Sequence, residues 1–158
     1  MDSLPTLDDV YRKFGEASEA AQLLETELGT LLFGEQAIAE DLLGGDGKRA
    51  TEIMMAINRQ TLGTLIKNAK GNSQSIEQIA TLLDLALRER NRLSHSFYRQ
   101  HNFRRNSGEG RALMMQDLET IHDVILEAYK QLMLLHGTDL DALAQQPFTL
   151  SMAHVRII

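Results

Sequence analysis

Apolar residues recur at steps of three and four along most of the chain, with almost no strict alternation, which is the pattern of amphipathic helices. The first such segment runs from about Leu7 to Leu43, with Thr6 or Asp8 placed to cap it. Its stripe includes Val10, Phe14, Ala17, Leu24, Leu28 and Leu32; Gly29 and Gly34, each costing up to about 1 kcal/mol against alanine, mark sites for a kink or break. Gly44-Gly45-Asp46-Gly47 ends it as a turn. A second helix is predicted over Thr51 to Lys70, carried by Ile53, Ile57, Leu62, Leu65 and Ile66 and closed by Gly71-Asn72-Ser73. A third begins at Ser75, which with Gln78 reads as a capping box, and continues to about Phe103. The fourth spans Arg111 to His136, with Gly137 as its C′ residue and Thr138 placed to cap a short helix over 139–145. This pattern predicts an all-α fold, an antiparallel up-and-down bundle of four long helices plus a short C-terminal helix. Residues 1–147 form the bundle in this reading and 148–158 a tail.

Composition narrows the chemistry. The 158 residues suit one domain. There is no cysteine, which excludes a disulfide framework, a thiol nucleophile and a thiolate zinc site. The only prolines, Pro5 and Pro147, lie near the ends, so nothing between them imposes the cost of about 3 kcal/mol that proline brings to a helix interior. No apolar run approaches the roughly 18–20 residues of a membrane span, and Met1-Asp2-Ser3-Leu4-Pro5 does not resemble a secretory leader, so a cytoplasmic protein without a membrane partner is expected. The net charge is −6, but it is unevenly spread. Residues 88–105 hold six arginines against a single acid, Glu89, giving +5 locally and −11 on the remainder.

That basic island coincides with a break in helical pattern. With Ile76 as origin and about 100° per residue, Leu83 and Leu87 fall within about 20° of the apolar stripe. The same wheel puts Arg90 near −40°, Asn91 near +60°, Ser94 at about 0° and His95 near +100°. Polar groups on a core face need partners or a cleft, and such exceptions mark functional sites; alternatively the helix end emerges into water.

The run Arg90-Asn91-Arg92-Leu93-Ser94-His95 resembles the R-x(4–6)-H motif of HEPN domains, small helical bundles, and Ser96-Phe97-Tyr98 is similar to the aromatic continuation of many members. The resemblance implies a metal-independent endoribonuclease without a cofactor, acting on RNA as a homodimer that brings two motifs into one cleft, in stress or defence. It assigns His95 as general base or acid at the 2′-hydroxyl, a task suited to imidazole with its ordinary pKa of about 6.5. It assigns Arg90 as the stabiliser of negative charge on the phosphate. Asn91, Ser94 and Tyr98 are supporting residues in this reading. Asn91 lies four residues before His95 and orients it or the cleft, or else sits on an exposed face. Tyr98 stacks on a base or donates to phosphate, or packs in the core. Arg92, Arg99, Arg104 and Arg105 contact phosphates, or else pair with acidic neighbours. Toxin members carry a modified tyrosine two places after the histidine, where this chain has Phe97, which counts against that mechanism, although an inhibitory partner protein remains a possible counterpart. The alternative function is a non-catalytic HEPN-like dimerisation or partner-binding module; a third is an unrelated helical regulator.

Other chemistry is absent from the pattern. His95 and His101 are six residues apart, and His122, His136 and His154 lack ligand spacing, so no metal site is expected. No phosphate-binding Gly-rich loop and no nucleophile-elbow serine occur.

Overall fold

A computed structural model describes residues 3–72 and 74–147; the predicted tail, 148–158, lies outside the described residues. All regular structure among the described residues is helical. The elements are α1 (Leu7–Ala39), α2 (Gly47–Asn58), α3 (Leu62–Asn72), α4 (Gln74–Glu77), α5 (Ala80–His95), α6 (Phe97–His101), α7 (Gly108–Leu135) and α8 (Leu140–Leu143), with 3-10 turns at Leu42–Gly44 and Asn102–Asn106.

Local chemistry sets most of these boundaries. Thr6 opens α1: its hydroxyl accepts from Asp9 N–H while the Asp9 carboxylate accepts from Thr6 N–H at 2.8 Å, a reciprocal cap. The helix then runs unbroken through Gly29 and Gly34. Gly29 is buried because α2 needs it: a Cβ there would stand 3.1 Å from Ile57 Cγ2. Ser107 caps α7 by accepting from Gly110 N–H. Gly137 takes the positive φ of +82° that ends α7. Asp139, not Thr138, caps the last helix, which is shorter than the sequence pattern indicates.

The second and third expected helices are both divided. Thr51 to Lys70 is not one rod: Arg59, Gln60 and Thr61 separate α2 from α3, and Thr61 Oγ1 accepts from Thr64 N–H to begin the new helix. The chain reverses there. Glu40 pairs with Arg49, Gly29 meets Ile57, and Glu25 accepts from Leu62 N–H, so α2 runs antiparallel to α1. Beyond Leu62, α3 climbs back along α1, placing Asn68 beside Glu35 and Gln36. In turn α5 descends, with Asp84 at Lys70, Leu87 at Gly63 and Arg90 at Glu25. This extra reversal changes the parity of the bundle. In four alternating helices the first and last are antiparallel; here α1 and α7 run parallel. Lys13 meets His122 and Glu27 meets His136, two ties with the same sequence separation of 109.

The core lies chiefly between α1 and α7, flanked by α3 and α5. Leu24, Leu28, Leu83, Leu118, Ile121 and Ile125 are fully buried within it. Each such side chain contributes about 1.5–3 kcal/mol when removed from water. Glu25 joins three elements from the margin of this core. One of its oxygens accepts from Leu62 N–H at 3.0 Å and from Arg90 Nη2 at 2.9 Å. A carboxylate at the first turn of α3 also meets the positive end of that helix's dipole. Replacing Glu25 by Ala orphans both donors and should lower unfolding stability by about 1.5–3 kcal/mol, the range for hydrogen bonds to charged groups. Urea unfolding monitored by circular dichroism checks this; a midpoint unchanged from the native chain contradicts the role.

Candidate functional site

The predicted motif occupies the last two turns of α5, but its surroundings differ from the wheel expectation. That wheel assumed one helix from Ser75. Instead α4 begins at Gln74 and ends at Glu77, so Ser75 lies inside a helical turn, and within α5 the buried Leu83, Ala86 and Leu93 lie between about −20° and −100° on that wheel, which centres the stripe well to one side of Ser94. The buried line then runs through Ile79, Leu83, Ala86, Leu93 and Phe97. Ser94, expected at the centre of the stripe, is exposed, as are Asn91 and His95. Only Arg90 stays near the buried line, and there it is paired with Glu25.

Arg90 is half-buried. Nη2 donates to Glu25, and Nη1 donates to Asn91 Oδ1 at 3.0 Å. Asn91 is thus engaged with Arg90 rather than with His95. A guanidinium has five N–H groups, so Arg90 keeps three after these bonds. The His95 side chain has no hydrogen bond among the described residues. It is the last residue of α5, and its carbonyl accepts from Arg99 Nη2 at 2.8 Å. Five helical positions place Arg90 and His95 about 140° apart around the axis, and no hydrogen bond joins their side chains. One chain therefore presents the two groups on different faces of α5.

Arg92 is fully committed inside the protein. It makes a bidentate pair with Asp117 on α7, at 2.6 and 2.7 Å, and donates to Glu89 at 3.0 and 2.7 Å and to Gln100 at 3.2 Å. All five of its donors are used, leaving none for a phosphate. The same Asp117 binds His101, which is only 5% exposed, at 2.6 Å from Nε2. On the other side of the ring, Arg104 Nη1 lies 3.1 Å from Nδ1. A guanidinium can only donate, so Nδ1 accepts and Nε2 carries the proton towards Asp117. The Arg92 bonds, followed by the bond from His101, hold the Asp117 carboxyl below the usual range.

These bonds fix the segment after α5. Ser96 breaks the helix, and Phe97 drops into the core against Phe14 and the His101 ring, with centroids 5.8 and 4.5 Å away. Tyr98 packs on Phe14 and Phe97 at 5.2 Å yet stays 40% exposed; partial burial and the neighbouring Tyr11 push its phenol upward, opposed by nearby Arg105. Arg105 donates to Tyr11 Oη at 2.9 Å, and Arg111 donates to the carbonyls of Pro5 and Arg105. The 3-10 turn is pressed onto α7 so closely that a Cβ at Gly110 would stand 2.1 Å from the Arg104 carbonyl oxygen. Sequence reasoning missed Asp117 and Glu25. The signal for Asp117 was a carboxylate three residues after Met114 and next to Leu118, beside a core stripe.

Cavities of about 560 and 580 Å³ lie between α1 and the α2–α3 pair, lined respectively by Glu25, Thr26 and Met54, and by Leu32, Glu35 and Ile38 among others. A third, of about 390 Å³, is lined by His101, Arg104, Asp117 and Thr120. Among the described residues no group of His, Asp and Glu is arranged to hold a metal ion, and no helix is long and apolar enough to cross a membrane. No family model matches the chain, and neither a curated protein nor a solved structure matches it significantly.

Gly110→Ala forces the turn off α7 and should cost at least about 1–3 kcal/mol, as overpacking does. Its amide exchange should accelerate through 101–107 before the rest of the fold, which hydrogen exchange detects. Asp117 gives a pH test. Its folded pKa lies below the unfolded value of about 3.9, so the unfolded chain binds more protons and stability falls as pH drops through that window. Urea midpoints measured from pH 5 to pH 3 should fall for the native chain and fall less steeply for Asp117→Asn.

Proposed function

We propose that the chain is a HEPN-like, metal-independent endoribonuclease whose helices form an up-and-down bundle and which works as a cytoplasmic homodimer. The observation that carries this reading is the Arg90-Asn91-Arg92-Leu93-Ser94-His95 motif at the exposed end of α5, with His95 open to solvent beside the basic segment 97–111. Three free N–H groups on Arg90 supply what phosphate recognition needs. His95 supplies a group able to take a proton from a ribose 2′-hydroxyl or return one to the leaving oxygen. The reaction forms a 2′,3′-cyclic phosphate and frees a 5′-hydroxyl on the next nucleotide. Because Arg90 and His95 face apart on one helix, the site is assembled from two copies: the Arg90 of one protomer works with the His95 of its partner. A twofold dimer gives two such composite sites, each with one Arg90 and one His95 that takes the proton and then returns it.

A second reading is favoured by one contact. Glu25 neutralises Arg90 at 2.9 Å, as in a module where the motif is structural and the protein binds a partner without cleaving RNA.

The two readings separate in one assay. Labelled single-stranded RNA incubated with the protein in excess EDTA should yield fragments ending in 2′,3′-cyclic phosphate. Arg90→Ala and His95→Ala, each checked for native circular dichroism, should both lower the cleavage rate by at least about a hundredfold, the lower range for a general acid–base group. An equal mixture of the two variants should recover part of the activity if the site is shared between copies. Intact RNA across a broad panel of substrates selects the binding module.

A further inference from the structure

The six arginines of the basic island divide sharply by partner. Arg88, Arg90 and Arg92 each pair with a carboxylate. Arg99, Arg104 and Arg105 do not: among the described residues their guanidinium groups meet a backbone carbonyl, the His101 ring and the Tyr11 hydroxyl. Arg111, just beyond, likewise donates only to carbonyls. Four positive charges thus stand without an ion pair among the described residues, against one acid, Glu109, in the same stretch of an otherwise acidic chain.

Aromatic rings accompany the same stretch, two beside Arg105 and the third, Phe103, two residues before it in the chain. Tyr11, Tyr98 and Phe103 are 45%, 40% and 76% exposed, and Arg105 sits against the first two. Phe103 is the most exposed large apolar side chain among the described residues, and it follows a residue of unusual backbone conformation. Asn102 adopts φ +45° and ψ −118°, a conformation favoured by glycine and strained for other residues. His101–Asp117 fixes the turn on one side of that residue. The close seat of Arg104 on Gly110 and the Arg111 bond to the Arg105 carbonyl fix it on the other. A turn clamped at both ends, strained in the middle and displaying a ring to water is preorganised to receive something flat.

We propose that the segment 97–111 is a docking face for single-stranded polynucleotide: Phe103 stacks on a base while Arg99, Arg104 and Arg105 contact phosphates. Uncompensated guanidinium groups supply the phosphate affinity, and exposed aromatic rings supply base stacking without sequence preference. A duplex keeps its bases stacked inside and offers no base face to an exposed ring. The choice of polynucleotide rests on the ribonuclease reading above, while the position of the subsite rests on this turn alone.

The test uses the full chain and fluorescein-labelled twelve-nucleotide strands of U or A, as RNA and as DNA, with duplex RNA and polyglutamate as further probes. Fluorescence anisotropy should give single-strand binding that Phe103→Ala weakens by roughly ten- to a hundredfold, with the dependence on salt unchanged. Arg104→Ala and Arg105→Ala should each reduce the slope of log affinity against log salt by about 0.7. The chain has no tryptophan, so Phe103→Trp introduces a single reporter that bound strands should quench. RNA binding tighter than DNA identifies RNA as the source of the strand, and equal binding supports single strands of either kind. Native affinity in Phe103→Ala, unquenched fluorescence in Phe103→Trp at saturation, polyglutamate competing as well as RNA, or no binding of any single strand overturns the proposal. Strand binding that depends on Phe103 without cleavage removes the ribonuclease reading alone. Cleavage that is unaffected in Phe103→Ala, with binding equally unaffected, removes the docking face alone.

Discussion

One carboxylate, that of Glu25, governs how the chain is threaded. It sits in the middle of α1, accepts from the first free N–H of α3 and holds the guanidinium of Arg90 on α5. A half-buried acid costs desolvation energy, and this one is offset by a helix N-terminus and a cation together. The reversal between Asn58 and Leu62 brings α3 to that carboxylate, and the reversal alters everything downstream. With five alternating segments in place of four, α7 returns parallel to α1, so the starts of both helices lie side by side. Arg111 reaches the Pro5 carbonyl, and Arg105 reaches Tyr11, because of that parity.

The connection from α5 to α7 must then be made within a narrow space between those two starts. Asp117 is its anchor. By binding Arg92 and His101 at once, it ties the end of α5 and the end of α6 to a single point on α7. Gly110 permits the backbone to approach where any side chain would collide. These attachments offset the strain at Asn102, which by itself costs of the order of 1–3 kcal/mol. They also determine which arginines keep an uncompensated charge. Glu25 on α1, Asp117 on α7 and Glu89 on α5 itself satisfy the half-buried Arg90 and Arg92, and Glu89 also meets the exposed Arg88. The arginines beyond Ser96 find only neutral acceptors.

The sequence made the helical class and most caps legible because these depend on neighbouring residues. Thr6 with Asp9, Gly137 and the glycine turn after α1 act within a few positions. The reversal at 59–61 was not legible from punctuation, since Arg59-Gln60-Thr61 contains neither glycine nor proline; its local sign was Thr61 as a cap for Leu62, and its cause, Glu25, is distant in sequence. The phase of α5 was misread for a related reason. The wheel from Ile76 was centred on Leu83 and Leu87, but Leu87 is only partly buried and Ala86 and Leu93 carry the core line about 60° to one side, which leaves Ser94 at its margin. The basic island was visible as composition, but its division into satisfied and unsatisfied arginines depends on carboxylates contributed by other helices.

That division bears on how the motif at the end of α5 relates to the turn that follows it. Arg92, within the motif, has no donor left, so of the two motif arginines only Arg90 keeps N–H groups without a partner among the described residues. Arg99 donates to the carbonyl of His95, so the exposed imidazole and the first uncompensated guanidinium are adjacent on the surface. On the proposed reading, a strand lying along Arg105, Arg104 and Arg99 is led towards His95 and away from the Arg90 of the same chain, which lies about 140° around the helix. On that reading a single protomer offers a path to His95 but leaves Arg90 on another face of the helix. The proposed chemistry then calls for a second copy that supplies its Arg90 opposite that His95, so the proposed twofold pairing stands or falls with the ribonuclease reading.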